Sequence, residues 1–74
     1  MNYMRYIKEL SKSKSGRDYI FKLLWYCYQK EDIRALNYIK FCAFVARIDS
    51  KLKVRIAQKA SEYINLLEKK KGKN

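Results

Sequence analysis

Apolar residues recur along this chain at intervals of three and four, and no two-residue alternation is bounded by turn residues. That spacing predicts helices and no strands. Met4, Ile7 and Leu10 share one face of a first helix over about 3–12, with Asn2 placed to cap it. The run Ser11-Lys12-Ser13-Lys14-Ser15-Gly16 interrupts the pattern. Serine competes for backbone hydrogen bonds there, and glycine is a poor helix former. Ser15 followed by Asp18 has the form of a capping box and predicts a second helix from Gly16 or Arg17 to about Gln29. Lys30-Glu31-Asp32 makes the next turn, with a cation at the negative end of one helix and two acids at the positive start of the next. A third helix follows from Ile33 to Arg47, and a fourth, capped by Asp49 or Ser50, runs to about Lys70.

The second helix is apolar on almost every side, from Tyr19 through Tyr28 with Lys22 as the break. The third leaves only a narrow polar stripe of Asn37, Lys40 and Arg47. Helices of this kind are covered from several directions. The fourth has a single inner stripe of Leu52, Ile56, Ala60, Tyr63 and Leu67. The expected fold is therefore all-α: a compact bundle of about four short helices, with helices 2 and 3 central. One helical domain spans 1–70, and 71–74 form a basic tail. Helices 3 and 4, joined by a short turn, have the outline of a helix-turn-helix pair, with a plain helical hairpin as the alternative.

Charge gives the first functional lead. Eighteen lysines and arginines stand against seven acids, for a net +11. A surplus of that size concentrates polyanions near the surface. Lys51, Arg55 and Lys59 recur one turn apart on the fourth helix, Lys53 lies between them, and Lys69, Lys70, Lys71 and Lys73 close the chain. Cations at that spacing can follow a phosphate backbone. The expected function is nucleic-acid binding, with DNA ahead of RNA, as a small regulator or as a packaging or coat protein of a virus or mobile element. An assembly subunit whose charge only solubilises it, and a peripheral membrane binder, are the alternatives.

Two partial resemblances touch these readings. Tyr38-Ile39-Lys40-Phe41-Cys42, Ile48-Asp49-Ser50, Val54 and Ala57 loosely resemble the closing helices of cyclin-type repeats in basal transcription factors, without the glycine usual in the turn. Arg5-Tyr6-Ile7-Lys8, Ser15-Gly16-Arg17-Asp18 and Leu23-Leu24-Trp25-Tyr26 are similar to the opening of peroxisome-division proteins, and that resemblance implies membrane-surface binding.

Seven tyrosines, three phenylalanines and one tryptophan are more than a single chain of 74 residues can centre. Aromatic residues are enriched where proteins meet. Phe21, Trp25, Tyr28, Phe41 and Phe44 are accordingly expected to line a homo-oligomer interface, with a symmetric dimer the commonest closed form.

Most catalytic chemistry lacks its residues. Without histidine there is neither the usual general acid–base group nor a serine triad. No glycine-rich phosphate loop occurs. Cys27 and Cys42 have neither zinc-site nor disulfide-framework spacing, and both sit in apolar helical stretches. A non-enzyme without metal or cofactor is expected. No apolar run approaches the roughly 20 residues of a membrane span, and the opening residues have no signal-peptide pattern. With reduced cysteines, this predicts a cytoplasmic, intracellular setting, with association to a virion or nucleoid as the alternative.

Overall fold

Four helices, α1 (Tyr3–Leu10), α2 (Lys14–Gln29), α3 (Ile33–Val45) and α4 (Ser50–Lys71), make up the computed structural model, which describes residues 3–71. Asn2 and Lys73 lie outside the described residues. The all-helical bundle matches the periodicity. α2 and α3 each pack against all three other helices, whereas α1 and α4 do not pack on each other, so the two most apolar helices are the central ones. α3 and α4 form the closest pair.

Helix ends differ from the expected ones by a few residues, for local reasons. α1 stops at Leu10. After the Ser11 N–H donates to the Ile7 carbonyl at 2.9 Å, the next two amides reach back only three residues, to Glu9 and Leu10. α2 starts at Lys14 because Ser13, and not Ser15, caps it: the Ser13 Oγ accepts from the Gly16 amide at 3.0 Å. Starting there presses the buried Gly16 against the end of α1, where a Cβ would overlap the Leu10 carbonyl. Any larger residue would force the α1–α2 crossing apart.

The α2–α3 turn is a Schellman closure. The Glu31 amide donates to the Tyr28 carbonyl and the Asp32 amide to the Cys27 carbonyl, both at 3.0 Å. Glu31 carries the left-handed backbone that this closure needs, at φ 54°. Asp32 then caps α3 by accepting from the Ala35 amide at 3.0 Å. Asp49 caps α4 through Leu52 at 3.4 Å.

The core is built from one stripe per helix. Its largest fully buried members are Ile7, Ile20, Leu24, Leu36 and Ile56. On α4 the stripe is Leu52, Ile56, Ala60, Ile64 and Leu67. Ile64 occupies the place expected for Tyr63, which is half-buried and stacks on Tyr28 with ring centroids 4.7 Å apart. α4 has 22 residues, about 33 Å at the 1.5 Å rise of an α-helix. Its inner stripe runs nearly that whole length, so α4 is the long support on which α2 and α3 rest.

Centrality does not mean complete cover. α2 buries only Gly16, Ile20 and Leu24. Trp25 and Tyr26 remain 53% and 54% exposed, and Phe41 and Phe44 on α3 are 61% and 73% exposed. Among the described residues no further element sits on the outer faces of α2 and α3. No helix among the described residues is long and apolar enough to cross a membrane.

Candidate nucleic-acid interface

The antiparallel run of the helices sets the charge geometry. The α1–α2 turn, the 46–49 linker and the start of α4 all meet at one end of the bundle. Arg17 in the first turns of α2 donates to the Ser11 carbonyl at 2.9 Å, which holds its guanidinium beside the start of α4. There Arg17, Lys51 and Arg55 line one depression of about 410 Å³, together with Ser11, Leu52 and the capping Asp49. Arg5, Lys8 and Arg47 line a second, of about 270 Å³, on the other side of the linker, with Glu9. Lys12 and Lys14 flank the same turn, Lys12 being paired with Glu9 at 3.1 Å. The cations at this end therefore outnumber Glu9, Asp18 and Asp49 by a wide margin.

The opposite end has a smaller surplus, five cations against three acids among the described residues. Lys30, Arg34, Lys69, Lys70 and Lys71 share it with Glu31, Asp32 and Glu68, and Lys70 is drawn to Glu31 at 3.5 Å. By the helical rise, Lys69 lies about 27 Å along α4 from Lys51. The cations expected to act as one surface thus fall into separate groups.

Lys51, Arg55 and Lys59 do share the flank of α4 that faces α2. Arg55 lies over the Phe21 ring at 5.1 Å, and Lys59 over Tyr63 at 5.6 Å. Lys59 also pairs with Glu62 at 3.7 Å. Lys53 is on the other flank, where its ammonium donates to the Phe44 carbonyl at 2.8 Å. Lys69 and Lys71 are exposed, with no partner among the described residues.

The aromatic residues expected at an oligomer interface also divide. Phe21 packs against the core beneath Arg55, and Tyr28 is stacked on Tyr63, so both are largely used within the chain. Trp25, with Tyr19, Leu23 and Tyr26, lines an open and mostly apolar face of α2 that also carries Lys22. Phe41 and Phe44 line a groove between α3 and α4 with Asn37, Lys40, Lys53 and Ala57.

Arg17, Arg47, Arg5 and Lys8 were missed in the reading of the sequence. Each belongs to a different stretch from the α4 stripe, and only the meeting of two turns makes them neighbours. Their one sequence signal is that cations flank both turns. Neither cysteine is bonded: Cys42 is buried, and Cys27 is half-buried. Burial pushes the Cys27 thiol above its ordinary pKa, and the nearby Asp32 carboxylate adds to the shift, which opposes the thiolate that nucleophilic chemistry would need.

No protein-family model, curated protein or solved structure matches this chain. The two partial resemblances therefore gain no support.

Proposed function

We propose that this protein binds nucleic acid, without catalysis, through the cationic end formed by the α1–α2 turn, the 46–49 linker and the first turns of α4. The observation that carries this reading is the convergence of Arg17, Lys51 and Arg55 on one depression. Arginine forks suit phosphate oxygens, and the hydrogen bond from Arg17 to Ser11 restricts its freedom before any ligand arrives. Phosphate contacts position a protein on nucleic acid without reading its sequence. The binding is accordingly sequence-tolerant, as suits a packaging or accessory role.

The test is an anisotropy titration of random-sequence duplex DNA with three proteins: wild type, Arg17→Ala/Lys51→Ala/Arg55→Ala, and a chain truncated after Leu67. The cationic-end variant loses most of the affinity, and the truncation loses less. The reverse ranking would return the site to the C-terminal lysines.

A second reading, an assembly protein, is favoured by one specific observation: the open α2 face with Trp25 and Tyr26 more than half exposed. The two readings are compatible, since self-association through α2 would double the number of cationic ends in one assembly.

A further inference from the structure

Two depressions on the surface combine exposed rings with cations and no acid: the α2 face beside Trp25, which has the single cation Lys22, and the groove between α3 and α4, which has two. The groove's lining joins two of the most exposed aromatic rings, Phe41 and Phe44, to two cations, Lys40 and Lys53, with Asn37 at the edge and no acid. The depressions at the cationic end contain Asp49 or Glu9, and the one beneath Arg55 contains Asp18 and Glu62. The Lys53 ammonium is held in place by the Phe44 carbonyl, and its other N–H groups are left for a ligand. The α3 periodicity explains the exposure. Leu36, Ile39, Cys42 and Ala43 take the buried face, which leaves residues 37, 41 and 44 on the outer one.

Resting on the nucleic-acid reading above, the geometry points to this groove as a seat for single-stranded nucleic acid: unpaired bases stack on Phe41 and Phe44, and the adjoining phosphates lie against Lys40 and Lys53. Charge decides the occupant. A second copy docked here about a two-fold axis would bring Lys40 and Lys53 of both copies together with no acid in the lining to offset them. An anionic partner removes that conflict. The partner must also offer flat apolar faces to two rings one helical turn apart, as the bases of an unpaired strand do and the phosphate exterior of a duplex does not. The rings line an open groove between two helices with Lys40 and Lys53 beside them, whereas insertion into a bilayer calls for a continuous apolar face. The Asn37 amide has both donor and acceptor for an exposed base edge.

This reassigns Phe41 and Phe44 from a copy-to-copy contact to strand binding. Self-association, where it occurs, falls to the Trp25 face of α2.

The experiment compares a labelled single strand with its duplex at about 50 mM salt, where phosphate contacts are strong. Proteins are wild type, Phe41→Ala/Phe44→Ala and Phe41→Leu/Phe44→Leu, each checked for helicity by circular dichroism. Both rings are exposed, so the fold is retained. The alanine pair weakens single-strand binding roughly tenfold or more per ring, within the range of base–aromatic stacking, and leaves duplex binding unchanged. The leucine pair stays weak, because leucine keeps apolar area and lacks a π face. Single-strand affinity indifferent to the alanine pair, or fully restored by leucine, overturns the assignment. So does a variant that keeps strand binding and loses instead either its self-association by light scattering or its binding to phosphatidylserine vesicles. Should wild type bind the duplex in a salt-dependent way while strand binding ignores the rings, only the groove is wrong. Should wild type bind neither form, the nucleic-acid reading falls with it.

Discussion

Lys53 donates to the carbonyl oxygen of Phe44 at 2.8 Å, and this bond joins the second turn of α4 to the last turn of α3 across the 46–49 linker. The carbonyl lies in the last turn of α3, where backbone acceptors lose their helical partners. An ammonium there also complements the negative end of the helix. Lys53→Met keeps the alkyl stem and removes the donor. A loss of about 1 kcal/mol is expected, below the usual range for a charge-assisted bond because the pair is exposed. In a chain this size that lowers Tm by about 4–8 °C. An unchanged Tm would mean that water replaces the bond without loss.

Which parts of this were legible in the sequence follows from the range of the interactions. The four helices and the centrality of α2 and α3 were readable because apolar periodicity is local. The cap of α2 was not. Ser15, with Asp18 three residues on, is the stronger local signal, and the choice of Ser13 instead depends on Gly16 meeting Leu10 across a helix crossing. The all-round apolar character of α2 was visible, but Leu24 is fully buried while its neighbour Trp25 is half exposed. Which of two adjacent apolar residues faces inward depends on where α3 and α4 lie. The Lys51–Arg55–Lys59 stripe was readable from its spacing. Its partner Arg17 was not, because that contact joins residues far apart in the chain.

Gly16→Ala should destabilise the fold although alanine is the better helix former by about 1 kcal/mol. The added Cβ would fall against the Leu10 carbonyl, which is backbone and cannot swing aside. Overpacking of this kind costs roughly 1–3 kcal/mol, or more where backbone must shift. Urea denaturation reads the sign directly: a variant more stable than wild type would contradict the tight α1–α2 crossing.

Glu31→Gly should act in the opposite direction. Glu31 holds a left-handed backbone at φ 54°, which costs a non-glycine residue roughly 1–2 kcal/mol. Glycine removes that cost and loses part of it again to greater freedom in the unfolded chain. The exposed ion pair with Lys70 contributes at most about 1 kcal/mol. A small net gain, about 0.5 kcal/mol, is expected in thermal unfolding. A clear loss would show that the Lys70 contact matters more than the strain.

Leu24→Ala and Trp25→Ala separate folding from assembly. Leu24 is fully buried, so its truncation should cost roughly 2–5 kcal/mol, a large share of the stability of a small domain. Trp25 is 53% exposed in the single chain and should change dilute-solution stability little. If the α2 face mediates self-association, light scattering at rising concentration will show wild type growing in mass and Trp25→Ala remaining a single chain. Wild type that stays a single chain throughout would remove the assembly reading.

The raised Cys27 pKa sets a direction with pH. Folding holds the thiol protonated more tightly than the unfolded chain does, so its contribution is complete below the ordinary thiol range of the unfolded chain. It fades as pH rises through the higher folded value. Stability should therefore decline on the alkaline side, and Cys27→Ser should reduce that decline. Iodoacetamide should modify Cys27 slowly at neutral pH and faster in alkali. Reductant should leave Tm unchanged, because both cysteines are free.

The most direct test of the nucleic-acid account is the salt dependence of duplex binding, in wild type and in Arg17→Ala/Lys51→Ala/Arg55→Ala. Neutralising phosphates releases counterions, and log K then falls against log salt with a slope of about −0.9 per phosphate held. Wild type should give a slope of roughly −4 to −5, and the triple variant should flatten it by about two to three units while helicity by circular dichroism is unchanged. No binding by wild type at about 50 mM salt, or a slope that the triple variant leaves intact, would contradict the account.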